Sequence, residues 1–379
     1  MRKSYLLAPG PTPVPPAVLQ SMAMPIIHHR SPDFVPVMES ARAGLKWLYQ
    51  TDDDVMMLSC SGTGGMDAAV SNFLTPGERV LVVNGGKFGE RWTKICQAYG
   101  VDVEELKVEW GWSVKPEAVA AALKADPSIS AILMQASETS TGVYHDVEGV
   151  SRVLRNHPEV LFIVDAISGL VAHDIKTSAW GIDVLVAGSQ KGLMLPPGLA
   201  FVSATEKAWA RNKVSVTPRF YFNLKKERDN LLKNQTNFTS SVTLIIALNE
   251  ALKLLQQEGL ENIFRRHAML AEAMRAGAKA MGLELFPKES PSNALTAICA
   301  PEGMDGQAIY KGLREKYGIT GAGGQDHLKG KIFRLAHLGY ADMFDVITAL
   351  SALEMLLKGM GHKFAPGAAV AAAEEIFTR

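Results

Sequence analysis

Cysteine is nearly absent from this chain: Cys60, Cys96 and Cys299 are its only three in 379 residues. They are scattered and lack C-x-x-C spacing, which excludes a disulfide framework and a zinc-ribbon site and fits a reducing cytoplasm. Net charge is missing as well, since 39 basic residues balance 39 acidic ones. That balance argues against a basic nucleic-acid-binding face. The one mixed charge run, "LKKERDNLLK" around Lys225, reads as solvated surface. Long apolar runs are also lacking. The opening "MRKSYLLAPGPTPVPP" offers three apolar residues before proline, so neither a signal peptide nor a membrane span is expected.

What is present is the composition of a globular protein, 47% hydrophobic and 21% charged, with length enough for two domains. Prolines fix φ and disfavour helix before them, so residues 1–20 are expected to form an extended arm. Short apolar runs then alternate with amphipathic segments. The runs are Val55 to Leu58, Val80 to Val83, Ala131 to Gln135, Leu161 to Val164 and Val184 to Ala187. Helical patterning lies between them at Met66 to Leu74, Phe88 to Tyr99, Pro116 to Lys124 and Val147 to Asn156, after a first helix at Phe34 to Tyr49. Strands without a polar face, separated by helices, predict an α/β fold with a mainly parallel sheet buried on both sides.

Beyond about residue 255 the rhythm changes. A long helix (Ile263 to Met281) leads to strands at Leu283 to Phe286, Ala294 to Cys299 and Ile332 to Ala336, with helices at Gly306 to Tyr317 and Phe344 to Lys358. The expected organisation is therefore an arm (1–20), a large α/β domain (21–255) and a smaller C-terminal α+β domain (256–379), with "GAAVAAAEE" as a surface helix.

Ligands of open α/β sheets bind beyond the carboxyl ends of the strands. Three features converge there. After the first run comes "SCSGTGGMDAAV", a small-residue loop entering a helix, with the hydroxyls of Ser61 and Thr63 as added donors. Alone it is either a tight turn or an anion cup, and it has no GK[ST] ending and no G-x-G-x-x-G spacing. After Leu161 to Val164 comes Asp165, either a helix cap or a cleft carboxylate. Asp183 opens its strand at the opposite end of the sheet and is structural. After Val184 to Ala187 comes "GSQKGLMLPPG", placing Lys191 just past a buried strand, 26 residues beyond Asp165. One ligand uses all three. Pyridoxal 5′-phosphate needs a lysine for its aldehyde, a carboxylate for its ring nitrogen and a helix N-terminus for its phosphate.

Here the sequence resembles the class V, fold type I pyridoxal-phosphate aminotransferases, closest to the alanine–glyoxylate, serine–glyoxylate and serine–pyruvate group. The likeness runs through "LLAPGPTPVPP", "HHRSPDF", "SGTGGMDAAV", "NGGKFGERW", "SETSTGV", "VDAISG", "GSQKGLMLPPG" and "FRLAHLGY". It implies that Lys191 is the Schiff-base lysine and Asp165 the partner of the ring nitrogen. It implies phosphate contacts from Ser61, Gly62, Thr63 and Gln190, and further cofactor contacts from Phe88, Thr139 and Ser168. Phe88 falls where relatives stack an aromatic ring on the cofactor; read alone it is equally core filler. Thr139 read alone is a strand-end cap. Thr236 and Thr239, in "NQTNFTSS", fall where the family reaches across a homodimer interface to the neighbour's phosphate. Gly10 falls where the arm nears the substrate.

Arg334 interrupts an apolar strand and resembles the arginine that grips the substrate carboxylate, for which its planar fork is suited. The implied activity is ping-pong transfer of an amino group from alanine or serine to a keto acid, glyoxylate or pyruvate, with aspartate an open alternative donor. A cysteine desulfurase-like lyase and a non-catalytic, oxidoreductase-associated subunit are the rival readings.

Overall fold

The computed structural model describes residues 3–379; Met1 and Arg2, the start of the expected arm, lie outside the described residues. At its centre lies a seven-stranded sheet. The strands are Val55–Leu58 (β1), Arg79–Asn84 (β2), Asp102–Lys107 (β3), Ala131–Gln135 (β4), Leu161–Asp165 (β5), Val184–Gly188 (β6) and Ala200–Ala204 (β7). They lie in the order β1-β7-β6-β5-β4-β2-β3. Only β7 runs against the rest, pairing antiparallel with both β1 and β6.

The apolar runs have a direct cause in this sheet. Val55, Met57, Ile132, Met134, Phe162, Val164, Leu185 and Ala187 pack into one core, while Met56, Leu58, Ala131, Leu133, Leu161, Ile163, Val184 and Val186 pack into another. Alternate residues face opposite sides and both sides are covered, so no polar alternation survives. On the first side lie Val35–Tyr49 (α1) and part of the chain that follows β7; on the second lie Gly62–Phe73 (α2) and Lys87–Ala98 (α3).

Two helices follow, Val242–Glu258 (α4) and Leu260–Ala280 (α5). Leu255 and Ile263 still belong to the first core, whereas Leu270, Ala273 and Met274 enter a third. That third core joins α5 to Met343–Gly359 (α6), Ala368–Phe377 (α7) and a small antiparallel sheet. The small sheet consists of Leu295–Cys299 (β8), Ala322–Gly323 (β9) and Ile332–Ala336 (β10), in the order β8-β10-β9.

Several expectations are corrected. The arm bends at residues 8–11 and stays non-helical only as far as Pro15, after which Pro16–Met22 is helical, with proline at the first turn where its missing N–H costs nothing. Leu283 to Phe286 is not a strand; only Leu285 bridges to Ile298. The charged run keeps Lys225, Lys226 and Lys233 exposed, as expected, while its helix Leu224–Leu231 buries Leu224, Glu227 and Leu231 on the other face. The tail helix α7 forms at the surface as expected, with Ala369, Ala373 and Ile376 as its buried face.

Candidate active site

The expected residues gather at the carboxyl edge of the large sheet, where β1, β5 and β6 end at Leu58, Asp165 and Gly188. Lys191 follows β6 by one turn. Its Nζ donates to the Pro9 carbonyl of the arm. The arm is fixed to the same turn by Thr12, whose Oγ1 donates to the Lys191 carbonyl at 2.9 Å and whose N–H donates to the Gln190 carbonyl at 3.1 Å. Gly10 stands directly against the lysine. A β-carbon added there would come within 2.6 Å of Lys191 Cε, and its φ of +125° is one that L side chains rarely adopt.

Asp165 is buried at the end of β5, with one carboxylate oxygen accepting from the Ile167 N–H at 2.7 Å. Burial raises its pKa to about 7, opposed by that hydrogen bond, raised further by Glu138 and lowered by Arg91 and Lys191. Burial lowers the Lys191 ammonium to about 8, with Asp165 pulling it up and Arg334 and Arg91 pushing it down. Each group therefore biases the other's proton, and the pair titrates near neutrality. Ser168 is buried beside them and donates to the Ser137 carbonyl at 3.2 Å.

The anion cup lies on the same edge. Ser61 occupies the N-cap of α2 without a side-chain cap bond. The first N–H groups of a helix have no intrahelical acceptor, so those of Gly62 and Thr63 are available to a ligand. The Gln190 side chain lies beside this terminus, and its buried Oε1 has no protein partner. Thr63 Oγ1 accepts from Arg91 Nη1 at 3.1 Å, and the Arg91 guanidinium lies 4.7 Å over the Phe88 ring.

Phe88 and Arg91 are held by the start of α3. There the Glu138 carboxylate accepts from the N–H groups of Phe88 at 3.1 Å, Gly89 at 3.2 Å and Ser140 at 3.1 Å, and also from the Ser140 hydroxyl. Gly86 is required by this arrangement, since a β-carbon there would come within 2.6 Å of Glu138 Cγ. Burial holds the Glu138 pKa above the ordinary carboxylate value despite these donors.

Arg334, buried in β10, closes the site from the small sheet. Its Nε and Nη2 donate to the Gly323 carbonyl at 3.0 and 2.8 Å, and Nη1 donates to the Thr139 carbonyl at 2.5 Å. One N–H on each terminal nitrogen is left without a protein acceptor, and both are available to a carboxylate. Burial lowers the Arg334 pKa to about 10. Thr139 thus contributes its backbone to orienting Arg334, a role its residue type did not announce.

Two expected residues do not join this cluster within the chain. Thr236 is buried and its Oγ1 donates to the Phe238 carbonyl at 2.7 Å, while Thr239 is exposed; both line a separate cleft with Ser59, Phe222 and Glu227. Conversely, Arg91, Pro9 and Thr12 belong to the site and were not singled out from the sequence. Arg91 had one legible signal, its i,i+3 spacing from Phe88; the contacts of Pro9 and Thr12 are long-range.

An amine, a buried carboxylate and a helix N-terminus whose first N–H groups are unpaired fit pyridoxal phosphate. On a mainly parallel sheet they define the fold type I class of enzymes that use it. Within that class the chain belongs to the class-V aminotransferase family. The sequence profile described as "Aminotransferase class-V" matches residues 4–334. The "Soluble hydrogenase, small subunit" of Synechococcus sp. is 45% identical, with 99% of each chain covered. The L-aspartate–glyoxylate aminotransferase of Paracoccus denitrificans is 36% identical, over 98% of this chain and 95% of its own. The crystal structure of ureidoglycine–glyoxylate aminotransferase from Bacillus subtilis superposes with a TM-score of 0.95 at 30% identity, covering 100% of this chain and 99% of that one.

Proposed function

We propose that this transaminase moves the amino group of alanine or serine to glyoxylate, with pyruvate as the other acceptor, by ping-pong turnover in a cytoplasmic homodimer. The observation that carries the reading is the pair of N–H groups left on Arg334, at the edge where Lys191 and Asp165 also meet. Glyoxylate recurs in the names of two proteins this chain resembles. The small-donor preference rests on charge. An acidic side chain would bring a second carboxylate, yet Arg91 stands against Thr63 at the first turn of α2, the phosphate end of the site, and burial lowers His337 to about 3, leaving it neutral. An unpaired charge in such a cleft costs several kcal/mol.

Lys191 and Asp165 are the catalytic residues of this reading. Lys191 Nζ would hold the cofactor's aldehyde, Asp165 its ring nitrogen, and Ser61, Gly62, Thr63 and Gln190 its phosphate. Phe88 would cover the ring, and Ser168 and Thr139 would line the remaining wall. When bound, the cofactor supplies an electron sink for the carbanion at the substrate Cα. Arg334 fixes the substrate carboxylate so that the Cα–H faces Lys191. Released when the substrate's amino group takes its place on the aldehyde, Lys191 Nζ, whose free amine burial brings to about 8, would take and return that proton at neutral to mildly alkaline pH. Gly10 leaves the room this movement needs.

Residues 21–255 hold the cofactor and residues 256–379 supply Arg334, with α5 starting in one core and ending in the other. Support for a second copy comes from Phe220, Val216 and Val214, strongly exposed apolar side chains on the segment whose Tyr221 and Phe222 line the cleft of Thr239. Burial raises the Cys60 and Cys96 thiols to about 12 and also raises Cys299, which leaves a desulfurase-like reaction without a thiolate. Steady-state comparison of alanine, serine and aspartate with glyoxylate tests the donor. A kcat/KM for aspartate about tenfold above both others overturns the small-donor assignment.

A further inference from the structure

We propose that Arg91 is the cation that pairs with the cofactor's phosphate, acting directly and by setting the direction of the Thr63 hydroxyl. This rests on the chain binding pyridoxal phosphate at Lys191. The phosphate donors named so far, Ser61, Gly62, Thr63 and Gln190, are all neutral. A phosphate monoester carries about 1.5–2 negative charges at neutral pH, and a helix N-terminus supplies roughly half a positive charge. About one to one and a half charges are left unmatched, in a cleft where burial is the main cause that moves Lys191 and Asp165 far from their ordinary values.

Arg91 is placed to match it. Its Nη1 donates to Thr63 Oγ1 at 3.1 Å, at the first turn of α2. Because that oxygen accepts from Arg91, the Thr63 hydroxyl proton is left to point away from the guanidinium and toward an anion at the helix terminus. The guanidinium plane is steadied by the Phe88 ring 4.7 Å away, and no carboxylate among the described residues forms an ion pair with it. It is only half-buried, so a ligand can reach it. Its charge is felt at both Asp165 and Lys191, which puts it within electrostatic range of the cofactor position. A surface arginine serving only solubility would have no reason to face a hydroxyl at an anion cup.

The test separates phosphate from ring. Apoprotein of the wild type, Arg91→Met and Arg91→Lys is titrated with pyridoxal phosphate and with pyridoxal, which lacks the phosphate, and binding is followed by tryptophan fluorescence and equilibrium dialysis. Arg91→Met is expected to lose about 10- to 100-fold in affinity for pyridoxal phosphate, the range of a charge-assisted hydrogen bond, and nothing for pyridoxal. Inorganic phosphate should compete with pyridoxal phosphate less well on Arg91→Met than on the wild type, and Arg91→Lys should recover part of the loss. Equal losses for both ligands would assign Arg91 to holding Phe88 or the fold and overturn the proposal, as would no loss for either. A rise in KM confined to acidic donors, with cofactor affinity unchanged, would also overturn it. Failure of the wild type to bind pyridoxal phosphate would instead remove the underlying functional reading.

Discussion

Gly10→Ala is the sharpest test of how this site is built. Two costs arise at once. At φ +125° an alanine sits outside the regions its β-carbon tolerates, a strain of roughly 1–3 kcal/mol. The β-carbon would also lie 2.6 Å from Lys191 Cε and 2.9 Å from Cδ. Those atoms belong to a flexible side chain, so the clash is relieved by moving the lysine away from Pro9 rather than by unfolding. The expected result is a modest loss of stability, a few degrees in Tm, with a much larger loss of activity. Misplacing a reacting group by ~1 Å costs about 100-fold.

Thermal unfolding and single-turnover kinetics, run on the same preparation, separate the two effects. Thr12→Val provides a strain-free control, because it removes the 2.9 Å bond to the Lys191 carbonyl at a residue with an ordinary backbone. It should lower kcat by less than Gly10→Ala and leave Tm nearly unchanged. If Gly10→Ala keeps near-native turnover while Tm falls, the arm does not position Lys191 and the reasoning fails.

Further outcomes follow from the same geometry. Borohydride reduction of the cofactor-loaded protein should leave the pyridoxyl group on the peptide containing Lys191, and label on another lysine would unseat that assignment. Asp165→Asn should fold and bind cofactor about 10- to 100-fold more weakly, with a larger loss in turnover; native-like turnover would reduce Asp165 to a turn residue. Burial holds His267 at about 3, below its ordinary value, so the unfolded chain takes up the proton first. Its contribution is intact above pH ~6.5 and is lost as the pH falls toward 3, on the order of 2 kcal/mol by pH 5. Urea titrations at pH 7.5 and 5 should therefore show a smaller acid loss for His267→Gln than for the wild type, and equal losses would contradict this.

How much of this was legible follows from which interactions are local. The strands buried on both faces announced themselves, and β1, β4 and β10 begin and end where their apolar runs do. The edge strand β3 did not, because "DVEELK" is half-exposed along its length and carries charges that an interior strand excludes. The five-residue β7 carries little signal of its own between a proline-rich turn and a helix. Helix α4 was hidden because "VTLIIALNEALKLLQQE" is apolar over a wide arc, which blurs the helical period. At the site, Lys191, Asp165 and the α2 loop could be ordered along one sheet edge from strand ends alone. The role of Glu138 could not, since its donors at Phe88 and Gly89 are about 50 residues away along the chain and meet it only when β2 and β4 pair.

The arm has a physical reason to be extended and rich in proline. Tyr5–Leu6 pairs in parallel with Ile319–Thr320, and the Leu7 carbonyl accepts from Ala336 at the end of β10, two residues past Arg334. Within five residues of Leu7 the same chain touches Lys191 through Pro9 and Thr12. The strand that offers the carboxylate grip and the turn that offers the amine come from sheets with separate cores, and this segment hydrogen-bonds to both. A helix at this position would have spent its N–H and carbonyl groups on itself. Prolines prevent that, leaving the carbonyls of Leu7 and Pro9 free to accept from the two halves of the site. The spacing between Arg334 and Lys191 is therefore set by an element that belongs to neither sheet.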